Sequence, residues 1–200
     1  SEDFQVQYAV TRQNPGSRHF LYYNMYEAAD GAYMSNYYMW LLRADKTDVN
    51  GDPIIDPRIR YYFYRQVPET PGVDADPSLE TLQCSLQEPP PHYVGNFNFC
   101  GLPNGYWGRN HGNQEGTPPD GFLKTTYGVY PAAGKFDDDS FSGVLLGTGG
   151  EGDGITPILL ASSSDFLIAE AAMLANNPGA AKTAVLSGLA KSVAKVTTFG

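Results

Sequence analysis

Between residues 66 and 122 proline and glycine recur so often, including Pro89-Pro90-Pro91 and Pro118-Pro119, that neither a helix nor a long strand can run through most of the region. Turns and extended pieces are what remains. The stretch from Gly105 to Asp139 adds a second property: Tyr, Trp, Phe and hydrogen-bonding side chains alternate there with glycines and prolines. Long segments of this kind are either functional or disordered, and the density of aromatic rings argues against disorder. The stretch therefore reads as an ordered recognition loop.

The rest of the chain is equipped to support such a loop. Its 200 residues are 42% hydrophobic and 13% aromatic, enough to bury a core. The formal net charge of -9 disfavours nucleic acid and anionic membrane surfaces as partners, since both are bound through clustered Lys and Arg. No run of eighteen apolar residues spans a bilayer, and Ser1-Glu2-Asp3-Phe4 lacks the layout of a signal peptide. Cys84 and Cys100 bracket a Pro-rich loop. Joined, they would restrict the unfolded chain by roughly 3 kcal/mol for a loop of about fifteen residues, and would imply an oxidising compartment. Two buried free thiols are the alternative reading.

Every Tyr, Trp and His lies at or before Tyr130, whereas the segment after Glu170 has three lysines and no acidic residue. Ser35 is a helix N-cap in front of Asn36-Tyr37-Tyr38-Met39-Trp40-Leu41-Leu42-Arg43, a short helix whose aromatics read as core. After Asp56-Pro57-Arg58, the run Ile59 to Tyr64 reads as an extended or packed segment. Ser164 and Asp165 are expected to open a helix through Leu174, which Asn176-Asn177-Pro178 ends while starting another to about Val196. Leu186, Leu189, Val193 and Val196 recur at spacings of three and four and predict the buried face of that second helix. Two antiparallel helices joined this tightly are the pattern of a tetratricopeptide-like repeat, which cannot bury both faces alone. The expected organisation is a helix and Asp-Pro-Arg segment over residues 1–65, a loop-rich ligand-presenting region over 66–160 and a helical hairpin over 161–200.

Motifs for chemistry are weak. Gly147-Thr148-Gly149-Gly150-Glu151-Gly152 fits G-x-G-x-x-G, but Glu151 and Asp153 would repel a pyrophosphate and Pro157 stands near where a helix should begin, so it reads as a flexible connection. Asp48-Val49-Asn50-Gly51-Asp52 starts like a calcium loop and then places Pro53 and Ile59 where Gly and Glu are needed. Asp137-Asp138-Asp139 is better read as a solvated charge run than as a metal site. His19, His92 and His111 form no zinc signature, no nucleophile elbow surrounds Ser162 to Asp165, and no cofactor is implied. A glycoside hydrolase would need two carboxylates at a defined separation, which the sequence cannot single out. Binding remains. Tyr106, Trp107, Tyr127 and Tyr130 offer flat faces, while Arg109, His111 and Asn113 offer hydrogen-bonding groups, a mixture suited to a sugar ring or a peptide.

Four stretches also resemble the SusD/RagB family of nutrient-binding outer-membrane lipoproteins of Bacteroidetes. They are Asp56-Pro57-Arg58 before an aromatic run, Gly108-Arg109-Asn110-His111-Gly112 with Pro118-Pro119-Asp120, Gly128-Val129-Tyr130-Pro131-Ala132-Ala133-Gly134-Lys135-Phe136-Asp137, and Ser164-Asp165-Phe166-Leu167-Ile168-Ala169-Glu170-Ala171-Ala172. The resemblance implies a mainly α fold, with tetratricopeptide-like helix pairs as scaffold and long irregular loops as ligand surface. It implies non-catalytic capture of an oligosaccharide or peptide nutrient at the cell surface, and delivery to a SusC-like TonB-dependent transporter. Family members are tethered by a lipidated cysteine behind a signal peptide. This chain carries neither, so it is expected to be a C-terminal portion of such a protein. A glycoside hydrolase-type enzyme and a purely structural module docking on a transporter are the alternatives.

Overall fold

Ser35 sits in extended backbone and its hydroxyl accepts the Tyr38 N–H at 3.2 Å, which starts helix α2, Asn36–Arg43, at the expected cap. The structure is a computed structural model and describes residues 2–11, 16–28, 33–69, 102, 104–109 and 123–200. Before α2 come strand β1, Phe4–Gln7, and a one-turn helix α1, Phe20–Tyr22, which continues as a π-helical turn through Glu27. After it come α3, Ile59–Tyr62, strands β2, Phe63–Tyr64, β3, Thr126–Tyr127, and β4, Ile155–Leu159, then α4, Ala161–Leu174, and α5, Pro178–Thr197. Ile59 to Tyr64, expected as one extended or packed segment, is thus a helical turn passing into a strand.

Two small antiparallel sheets organise these elements. β1 pairs with β4, Gln7 facing Ile155, and β2 pairs with β3, Phe63 facing Tyr127. The expectation of a mainly α, tetratricopeptide-like fold is thereby overturned: the chain is mixed α and β. The reason is long-range pairing, which local helical periodicity cannot reveal. β1 and β4 lie about 150 residues apart in sequence, and each is too short to announce itself by alternation. The core gathers Tyr22 and Tyr26, stacked at 4.4 Å, with Met25, Met39, Leu42, Ile59 and Phe63. A smaller cluster joins Tyr130 and Ile155 to Val196 of α5.

α4 and α5 form one antiparallel pair. Asn176 takes positive φ, the Asn177 side chain accepts the Ala180 N–H, and Pro178 occupies the first turn of α5. Across the pair, Asp165 accepts hydrogen bonds from Ser187 and Lys191, both at 2.7 Å. Two expectations need correction here. α4 starts at Ala161, not at Ser164, because the Asp3 carboxylate accepts the Ala161 N–H at 2.8 Å and serves as a cap from across the sheet. The buried face of α5 is built on Ala181, Gly188 and Val196, while Leu186 and Leu189 are exposed. Small side chains let the two axes approach, and the Phe166 ring lies where a Cβ on Gly188 would stand. The larger apolar groups are left outside, up to Leu174 at 84% exposure. Among the described residues no helix is long and apolar enough to cross a membrane.

The Asp48 loop is a self-contained turn in which the carboxylate accepts the Asn50 and Asp52 N–H groups. The glycine run at 147–152, expected as a flexible connection, is pinned: Tyr22 Oη accepts the Gly147 N–H and donates to the Thr148 carbonyl.

Candidate functional site

The backbone of residues 105–109 is threaded through the interior. Trp107 and Thr125 exchange backbone and side-chain hydrogen bonds at 2.9 and 2.7 Å, and Arg109 N–H donates to Met34 O while its carbonyl accepts Asn36 N–H. Asn36, fully buried, also accepts the Gly108 N–H with its side chain. Gly108 is required at this crossing, since a Cβ there would stand 2.1 Å from the Met34 carbonyl oxygen. This threading decides which of the predicted rings face solvent. Trp107 is 0% exposed and Tyr106 is buried beside it, so neither offers a stacking face to an open surface. A loop rich in glycine and aromatics serves here as a buried irregular segment, joined to Ser35 by one isolated bridge at Arg109.

Tyr127 is half-buried, and Tyr130, nearly as buried as Tyr106 at 4% exposure, reaches an opening only with its edge. They share with Tyr38 and Tyr62 a cleft of about 220 Å³, floored by Met34 and Phe63 and closed at one side by Pro131. The rings meet edge to face: Tyr62 and Tyr130 at 5.5 Å, Tyr38 and Tyr62 at 5.7 Å, Tyr38 and Phe63 at 5.9 Å. Four elements position them. Tyr38 stands on α2 just inside its cap, Tyr62 ends α3, Phe63 and Tyr127 face each other across the β2–β3 pair, and Tyr130 follows on the turn after β3. That turn is held by hydrogen bonds from Gly128 N–H to Tyr62 O and from Tyr130 N–H to Tyr61 O. Tyr33 completes the rim, with the Arg109 guanidinium 3.7 Å from its ring centroid and the Lys124 ammonium 4.0 Å away.

The cleft is electrically neutral where it is deepest. Burial pushes the Tyr130 hydroxyl up to about 12 and raises those of Tyr127 and Tyr62 as well, so all three stay protonated at physiological pH. Each is an O–H donor and acceptor attached to a flat apolar face. Such walls suit a solute that alternates C–H faces with hydroxyl groups.

Of the residues singled out from the sequence, then, Tyr127 and Tyr130 line the cleft, and Arg109 adjoins its rim by stacking on Tyr33. Tyr106 lines a different cavity, Trp107 is interior, and His111, Asn113, Cys84 and Cys100 lie outside the described residues. Tyr33, Tyr38 and Tyr62 were missed, and Tyr38 was read as core although it is 39% exposed. Its neighbours Asn36, Met39, Trp40 and Leu42 are the buried positions of α2, so counting round that helix from the Ser35 cap could have placed Tyr38 outside. Asp137, expected in a solvated charge run, is instead fully buried against Arg65, while the exposed Asp139 is engaged by Arg60 and Arg65. No family model, curated protein or solved structure matches the chain.

Proposed function

We propose that this chain is a non-catalytic binding protein for a nutrient oligosaccharide, whose rings lie on the tyrosine faces of the cleft and whose hydroxyl groups exchange hydrogen bonds with the phenols and Arg109. The observation that carries this reading is the convergence of Tyr38, Tyr62, Tyr127 and Tyr130 from four separate elements on one open, uncharged cleft. The resemblance to SusD/RagB proteins supports its biological setting: capture at the outer surface of the outer membrane and handover to a TonB-dependent transporter.

Titration calorimetry with a panel of neutral oligosaccharides tests the reading. Tyr38→Ala removes a partly exposed ring and should weaken binding about tenfold, the equivalent of about 1.4 kcal/mol, with the unfolding midpoint lowered only by the lost edge contacts to Tyr62 and Phe63. If none of the glycans binds, or if the variant binds as tightly as the parent, the reading fails. Binding of peptides in place of glycans would also overturn it.

A further inference from the structure

A second cavity, of about 380 Å³, opens at the other end of α2 from Tyr38, where Arg43, Arg60 and Arg65 converge over the buried Tyr106. Their partners are unevenly shared. Arg65 donates to both oxygens of Asp137, at 2.6 and 3.0 Å, to Asp139 and to the Asn104 carbonyl at 3.1 Å. Arg60 donates to the Asp137 carbonyl at 2.6 Å and to Asp139. Arg43 rests its guanidinium 5.7 Å from the Tyr106 ring centroid, and among the described residues it makes no ion pair. Three guanidinium groups therefore meet two carboxylates. Asp56, the other acid of the lining, is itself held between two cations, by Arg58 at 2.7 Å and Lys46 at 3.1 Å. In a chain of formal charge -9, this cavity is a locally cationic place.

Its remaining walls are apolar. Ile55, Ile59 and Phe141 line it, and Arg65 stacks over both Phe141 and Tyr106 at 5.0 and 4.9 Å. A bare inorganic ion would leave those surfaces in contact with water, whereas an organic acid could cover them while its planar carboxylate met the fork of Arg43.

We propose that this cavity binds the carboxylate of an acidic sugar, with Arg43 as the residue that engages it and Arg60 and Arg65 held by Asp139 and Asp137 as the fixed cationic background. The inference rests on the reading of the chain as an oligosaccharide binder, and it names acidic glycans as a ligand class. Two sources of the same chemistry exist, a uronate within a glycan and a free small carboxylate, and separate probes distinguish them.

The full chain is titrated with digalacturonate, neutral galactobiose, acetate and inorganic phosphate. Digalacturonate should bind about tenfold more tightly than galactobiose, and that advantage should shrink as ionic strength rises from about 0.05 to about 0.5 M. Arg43→Gln should abolish the advantage while leaving galactobiose binding and the unfolding midpoint unchanged. Tyr38→Ala, at a residue that lines the first cleft and not this cavity, should weaken galactobiose and leave the Arg43-dependent binding of digalacturonate in place. The proposal is overturned if digalacturonate has no advantage, if Arg43→Gln retains it, or if acetate or phosphate binds as tightly as digalacturonate. Should galactobiose fail to bind while digalacturonate binds through Arg43, the tyrosine cleft reading falls and the acidic subsite stands.

Discussion

Replacing Asp137 by Asn would strip the buried Arg65 pair of its inner charge and should be among the most damaging isosteric changes in the chain. The Asp137 side chain is 0% exposed and receives Arg65 Nε at 2.6 Å and Nη2 at 3.0 Å. Removing one member of a buried ion pair typically costs about 3–5 kcal/mol, because the other is left charged in a poorly solvated place. Arg65 would keep Asp139, whose side chain is 52% exposed, and the Asn104 carbonyl, so the lower end applies: about 3 kcal/mol. For a chain of this size that lowers the unfolding midpoint by about 6–12 °C. Urea unfolding followed by circular dichroism measures it, with the midpoint falling and the slope retained. Asp139→Asn, at the exposed carboxylate, should cost less than about 1 kcal/mol. The double change Asp137→Leu with Arg65→Met should be milder than Asp137→Asn alone, since no orphan charge remains. A loss below about 1 kcal/mol for Asp137→Asn, or equal losses at positions 137 and 139, would refute the reasoning.

Asp56 makes stability depend on acid: burial pushes its carboxyl up, but hydrogen bonds from the Arg58 side chain and N–H and from Lys46 outweigh burial and hold it well below the usual carboxylate range. A folded-state value below the unfolded one, about 3.9, means that its stabilisation is complete above that pH and drains away as pH falls beneath it. Asp56→Asn should be less stable at neutral pH and show a shallower decline below about pH 4 in a series of urea midpoints; parallel curves for variant and parent would contradict this. Glycines offer a matched pair of opposite sign. Gly128→Ala would set a Cβ 2.3 Å from the Tyr61 carbonyl oxygen and should destabilise by about 2 kcal/mol or more, while Gly179→Ala meets only an ordinary contact at 3.8 Å and should stabilise α5 by about 0.5 kcal/mol, both read by thermal unfolding.

What could be read ahead of the structure was whatever one segment decides alone. Ser35 as a cap and Asn177-Pro178 as a helix start are local bargains between a side chain and its own next turn, and both stand in the structure. The errors have a common physical source in partners far along the chain. α4 begins three residues early because Asp3 reaches its first N–H, and the α5 stripe misleads because Ala181 and Gly188, not the leucines, set the distance to α4. The site follows the same rule. Trp107 looks like a ligand platform because its own loop is polar and glycine-rich, but Met34, Asn36 and Thr125 hold that loop inside the protein. The surface it gives up passes to Tyr38, in a helix whose aromatics read as core, and to Tyr62, in a run that reads as an extended or packed segment.

That exchange bears on how the cleft would bind. Its rings are braced by a helix cap, a two-residue ladder and the turn hydrogen bonds of Gly128 and Tyr130, all outside the ligand surface. Side chains fixed this way lose little freedom when a solute arrives, so the ordering cost of binding falls mainly on the ligand. Changes in the braces should therefore weaken binding without touching the ligand. Gly128→Ala, placed between Tyr127 and Tyr130, should lower oligosaccharide affinity and cost far more stability than Tyr38→Ala, which loses only its edge contacts with Tyr62 and Phe63.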